Sequence, residues 1–292
     1  MPPLPLNREQ LLQKVVTEAN LDELLRIMGT LDQETRTLVL NAMSRRLNIQ
    51  RKGETISAIR RAIATHGDEV KDWLLTAVAD SYISGANAML ADLNKLGINP
   101  LNGNAYTQPF TQDTIRQLDL LTVHRDAVNA LVSDAYLDFA NGINGITRSA
   151  ERQLNEATKR QIRAVNISGQ ITGADIRTIS NEIRDTIGQQ GFTTLIDRGG
   201  KRWSIPNYSR MLARTHTIAS YNDGTINRAV DWGVDLVQVS QHPHTPDICS
   251  QYEGRIYSIS GRSEEYPPLT VRPPFHPNCR HSLLPRPYAE DI

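Results

Sequence analysis

Cysteine is almost missing from this sequence of 292 residues: it has two, Cys249 and Cys279. That is too few for a disulfide-built secreted domain and suits a chain made in a reducing cytoplasm. Aromatic residues are scarce at 5%, which fits a helix-rich, moderately elongated protein better than a compact β-rich enzyme. Net charge is also missing, since 32 basic residues balance 32 acidic ones. No global field therefore draws the chain to nucleic acid or a membrane surface, and only local arginine patches could do so. No apolar run approaches the roughly 18 residues that span a bilayer, so a membrane anchor is not expected. The opening Met1-Pro2-Pro3-Leu4-Pro5-Leu6 lacks the charged-then-apolar plan of a signal peptide. No glycine-rich loop suited to phosphate is present, and no cysteine sits in a recognisable hydrolase nucleophile context.

What is present is mostly helical periodicity. After the proline-rich arm, Asn7 offers an N-cap, and a helical pattern runs from Arg8 to about Leu47 with a break expected near Gly29-Thr30. Lys52-Gly53 reads as the next break, followed by Glu54–His66 and a long helix Asp68–Leu96 that Gly97 ends. Ile98–Pro109 is loop-like. Helix returns at Thr111, a good cap, and runs to about Ala140. Asn141-Gly142-Ile143-Asn144-Gly145 reads as an interruption before Thr147–Val165, and Ala174–Ile187 is a further short helix. Composition shifts after Gln190-Gly191. Phe192–Ile196 is β-prone, 197–203 reads as a turn and a short strand, and Pro206 opens a helix that Gly233 stops. On that helix Tyr208, Met211, Leu212, Thr215, Ile218, Ala219, Asn222, Ile226 and Val230 share one face, with Arg210, Arg214, Thr217, Tyr221 and Arg228 on the other. Val234–Ser240 alternates as a strand. The expected class is α+β: a mostly helical N-terminal two-thirds and a small Cys/His-stapled α+β C-terminal module. The expected divisions are 1–109, 110–190 and 191–292.

Chemistry concentrates at the end. Both cysteines and four of the seven histidines, His242, His244, His276 and His281, fall between Gln241 and Arg286. Thiolate and imidazole are the donors a structural zinc ion prefers. Cys279 with His276 or His281 supplies one close pair, and Cys249 with His242 or His244 another. The leading set is Cys249, His276, Cys279 and His281 holding one structural zinc ion, with His242 or His244 as the alternative ligand. A Cys249–Cys279 disulfide and two buried free thiols remain alternatives. Nucleophilic catalysis by either cysteine with a histidine and Asp247 is a weaker reading. So is ADP-ribosyl transfer built on Arg214 with Ser263-Glu264-Glu265, because those residue types are common. A metal-dependent hydrolase with an open coordination position at the same cluster is the competing functional class.

After Lys201 every basic residue is arginine, nine in all. Arginine's planar fork suits buried carboxylate pairing or phosphate contact. Arg280, between Cys279 and His281, is expected to pair structurally.

Five stretches in this order resemble the minor capsid (minor head) proteins of tailed bacteriophages, relatives of the Mu F-type head morphogenesis proteins. They are Ile196–Trp203, Tyr208–Thr215, Val237–Pro243, Gly254–Gly261 and Pro274–His281. The similarity covers about residues 170–288; Trp203, Arg214 and Arg280, which lie within these stretches, are expected to be structural or interaction positions. Cys249 stands where the family pattern is variable and often has histidine. The resemblance implies a structural protein of the virion head, at the portal vertex or capsid interior. It would be present in few copies and associate with the portal protein, the major capsid protein or other head-to-tail connector components. It would contact DNA in some relatives and carry no enzymatic activity.

Overall fold

The computed structural model describes residues 21–101, 105–117, 121–168, 173–190, 194–196, 202–242 and 247–286. The chain runs α1 (Leu21–Met43), α2 (Ile49–Lys95), α3 (Gln112–Gln117), α4 (Thr122–Ser168), α5 (Gly173–Gln190), β1 (Thr194–Ile196), β2 (Arg202–Ser204), α6 (Ile205–Asp231), β3 (Leu236–Val239), α7 (Asp247–Ser250), β4 (Ile256–Ser258) and β5 (Leu283–Pro285). The expected class holds: long helices, then a small α+β end. The N-terminal arm, Asn7, the 197–201 turn and His244 lie outside the described residues.

Several expected breaks are not there. α1 runs through Gly29, and the chain turns at 44–48 rather than at Lys52-Gly53. Asn48 decides that position, because its Oδ1 accepts the Arg51 N–H at 2.7 Å and caps α2. α4 runs straight through Asn141–Gly145. Gly142 is a packing residue instead of a breaker: a Cβ there would stand 2.5 Å from Cε1 of Tyr208. The expected helix stops do appear. Gly97 and Gly233 adopt φ of 72° and 78°. Beyond them Ile98 N–H donates to the Leu93 carbonyl at 3.0 Å and Val234 N–H to the Ala229 carbonyl at 2.9 Å, the 6→1 bond of a Schellman cap.

Two compact units emerge. One comprises Asp22–Trp73 and Tyr136–Arg210. Its core joins Val39, Ala42 and Met43 of α1 with Leu47, Ile56 and Ile59, and with Ala150, Leu154 and Ala157 of α4 and Ile179 of α5. Polar side chains serve mainly to close the α1–α2 turn. Gln161 Oε1 accepts the Leu47 N–H at 2.9 Å and Ser180 Oγ donates to the Met43 carbonyl at 2.7 Å, meeting backbone groups that the end of α1 cannot satisfy within the helix. β1 and β2 pair antiparallel in this unit.

The other unit contains Leu74–Ala135 and Met211–Ile292. α6 is its central rod, and at two glycines the backbones of α6 and α2 meet directly. A Cβ on Gly85 would sit 1.9 Å from the Tyr221 carbonyl oxygen, and one on Gly224 would sit 2.1 Å from that of Tyr82. Hydroxyls stitch the same seam: Ser81 donates to the Thr217 carbonyl at 2.5 Å and Ser220 to that of Val78 at 2.7 Å. This closeness overturns the two-faced reading of α6. Thr217, Tyr221 and Arg228, expected on the face opposite Val230, are buried, whereas Val230 is 51% exposed. A helix packed on several sides has no single solvent face.

The three-stranded antiparallel sheet, in order β4-β3-β5, packs with α2 and α6. Leu236, Val237 and Val239 of β3, Ser258 of β4, and Leu283 and Pro285 of β5 are its buried residues. Met89, Leu90, Leu93, Ile226, Ala229 and Trp232 complete that core. The sheet's loops carry the cysteines and histidines.

Candidate metal centre

Three segments converge beyond the sheet. Cys249 lies on α7, a single turn after β3. His276 and Cys279 lie in the proline-rich return, where the Cys279 N–H donates to the His276 carbonyl at 3.0 Å. Asn278 makes that turn with φ of 63°, a left-handed conformation asparagine tolerates. Tyr252 stacks on Phe275 with ring centroids 4.2 Å apart, which ties the α7 segment to the return. The ligand atoms of Cys249, His276 and Cys279 all lie within 4.8 Å of one another. Both cysteines are buried free thiols, so the structure does not form the disulfide alternative. Two thiols and one imidazole form a donor set suited to a borderline-soft divalent cation such as zinc, and this group could bind one.

His281 stands beside the trio, with Nδ1 3.3 Å from the Cys279 sulfur and Nε2 2.8 Å from Glu253 Oε1. Glu253 Oε1 also accepts the His242 N–H at 2.9 Å. His242 turns its ring edge onto His281, with centroids 4.7 Å apart, and its Nε2 lies 2.9 Å from the Ser240 hydroxyl.

The thiols are electrostatically unequal. Burial alone would raise Cys279, but hydrogen bonds from the His281 side chain and from the His281 and Phe275 N–H groups outweigh it and lower its pKa below the usual thiol value. Cys249 is pushed up to about 12, by burial first and then by the negative charge of Cys279 and the hydrogen bond between them. Burial opposes charge on His281, yet its hydrogen bonds to Cys279 and Glu253 raise its pKa. One thiol of lowered pKa, one of raised pKa and an imidazole of raised pKa backed by a carboxylate result. A divalent cation would displace the remaining protons.

The other singled-out residues lie elsewhere. Trp203 is half-buried, edge-to-face with Tyr208 at 6.5 Å. Arg214 is half-buried on α6. Arg280 is exposed and makes no ion pair among the described residues. Sequence reasoning missed Glu253. Its only signal was a position one helical turn beyond Cys249, which is weak because glutamates are common near helix ends. It also set Arg228 only on the helix face opposite Tyr208 and Ile226, with no partner named. That guanidinium is fully buried, 4.1 Å from the Phe110 ring centre, with Nη2 donating to the Gln108 carbonyl at 2.6 Å.

The model of the phage minor capsid protein 2 family matches residues 16–292. The chain belongs to that family. It is also 24% identical over 205 residues to a protein of Lactococcus phage LL-H described as "Structural protein", a match covering 63% of this chain and 55% of the relative. The chain thus spans little more than half the length of that relative. No solved structure matches. The family match makes this a minor capsid protein of a phage virion. The printed descriptions are structural, and nothing in them supports the hydrolase reading. Among the described residues no helix is long and apolar enough to cross a membrane.

Proposed function

We propose that the protein is a structural component of the phage head that acts at the portal vertex or capsid interior. Its helices would dock on the portal protein, the major capsid protein or another head-to-tail connector component. One structural zinc ion would lock the C-terminal loops. The observation that carries this reading is the family match across residues 16–292, which takes in the long helices and the Cys/His module together. The convergence of Cys249, His276 and Cys279 supports the staple. Structural zinc contributes folding free energy directly and can hold a small loop-rich module that has little apolar core of its own.

Quantitative mass spectrometry of purified virions, with cross-linking before disruption, tests the placement. The expected result is a few copies per particle, cross-linked to portal or capsid subunits. Particles lacking the chain, or a chain cross-linked only to tail components, would defeat the proposal.

A further inference from the structure

We infer that His281, through Nδ1, is the fourth ligand closing the centre formed by Cys249, His276 and Cys279, and that Glu253 is the positioning residue that aims it. This rests on the metal-staple reading above and names how the site is completed. Arms of about 2.3 Å to sulfur and about 2.0 Å to nitrogen place two ligands of a tetrahedral ion roughly 3.5 Å apart. The 3.3 Å between Cys279 Sγ and His281 Nδ1 matches that edge. The opposite ring nitrogen reaches Glu253 at 2.8 Å. A carboxylate receiving the outer N–H of a ligating imidazole fixes its tautomer and ring plane and raises its basicity.

His276 is set in the same way by a backbone group. Its Nδ1 lies 2.7 Å from the Pro277 carbonyl oxygen, an acceptor that takes the Nδ1 proton and leaves Nε2 with the lone pair for an ion. Both imidazoles therefore have their outer nitrogens tied down. His242, the rival for the fourth position, has Nε2 beside the Ser240 hydroxyl and its N–H on the same Glu253 oxygen. It buttresses the His281 ring instead of replacing it.

The Glu253 side chain is 15% exposed and that of His281 is 4% exposed, so the pair is shielded from competing water. Glu253 also donates its N–H to the Cys249 carbonyl at 3.2 Å. One short segment thus carries a ligand and the group that orients a second ligand 28 residues further on. The trio already lies within 4.8 Å; with His281 drawn in beside Cys279, two thiolates and two imidazoles would close a tetrahedron and leave no position for water, the coordination of a staple and not of a hydrolytic centre.

The test titrates the full-length apoprotein with Co(II) as the probe and Zn(II) as competitor. The wild type is expected to bind one ion with thiolate charge-transfer and tetrahedral ligand-field bands. E253Q should keep that stoichiometry with affinity lower by about 10- to 100-fold. H281A should lose more and show altered ligand-field bands, while H242A should keep one ion with unaltered ligand-field bands, as expected of a residue that is no ligand. If E253Q and H281A bind with wild-type affinity and spectrum, or if H242A alone loses the ion, the inference is overturned while the staple survives. No uptake by the wild type would instead remove the staple itself. Should H281A fail to fold, E253Q and H242A decide: unchanged affinity in E253Q overturns the role of Glu253.

Discussion

The unit built from Asp22–Trp73 and Tyr136–Arg210 and the C-terminal stretch from Leu236 to Arg286 are held together in opposite ways. In the first, helices satisfy their own backbone groups, so the buried side chains can be apolar and only a few polar ones close the turn after α1. In the second, strands of three or four residues leave most of the backbone irregular. Side chains must then satisfy loop N–H and C=O groups one at a time. Asp235 accepts the Ser260 N–H and the Ser258 hydroxyl, both at 2.6 Å. Asn222 accepts the Leu283 N–H at 3.0 Å and donates to the His281 carbonyl at 3.1 Å. Ser240 accepts the Ser282 N–H at 3.0 Å. Irregular backbone consumes polar side chains, and the apolar core of this stretch is shared with α2 and α6. A metal staple suits such a place, whereas a helical unit has no use for one.

The largest effect is expected at the α2–α6 seam, in the unit that also carries the C-terminal stretch. G224A would drive a methyl group into the Tyr82 carbonyl, which cannot move without parting two helices. The expected loss is about 5 kcal/mol or more, read as failure to accumulate folded protein or as a collapsed denaturation midpoint. Next comes the loop side. Chelation should lower the melting temperature of the wild type, and C279S should start low and show no response. At a free ion concentration a thousandfold above Kd, the linked stabilisation is about 4 kcal/mol. Far-UV circular dichroism should change little in C279S, because the long helices do not depend on the ion.

Arg228 sharpens the contrast, since it is a polar fastening inside helical packing. Burial pulls its pKa down to about 10. R228A would open a cavity beside Phe110 and leave the Gln108 carbonyl without its donor, costing about 3 kcal/mol in urea denaturation. R228M, which fills the space without a charge to desolvate, should stay within about 1 kcal/mol of the wild type. If both fall equally, the guanidinium hydrogen bond carries the effect.

The smallest effect is at Asp235. Burial would raise its carboxyl, but the Ser258 and Ser260 hydrogen bonds more than offset that, and its pKa lies below the ordinary value. A carboxylate depressed in the folded state contributes stability that is complete above its unfolded pKa, near about 4, and is lost as pH falls through the folded value. D235N should cost about 1 kcal/mol at neutral pH and flatten the acid limb of stability against pH. A D235N profile as steep as that of the wild type would remove this account.

Local chemistry was legible before any coordinates. Gly97 and Gly233 end helices because a Schellman cap closes within six residues, and Thr111 opens α3 through its own hydroxyl, which accepts the Thr114 N–H at 3.1 Å. The crowding of cysteine and histidine near the C-terminus and the motif order of the family could also be read directly. What sequence determined, then, was whatever a stretch of chain settles with its immediate neighbours. Tertiary structure alone decided that Gly29 and Gly53 lie within continuous helices, since a helical glycine costs only about 1 kcal/mol and packing elsewhere along the helix can offset it. It alone turned Gly142 and Gly224 into contact points, buried Arg228, and set Glu253 behind His281. Those outcomes depend on which distant backbone arrives within a few ångströms, and residue spacing carries no record of that arrival.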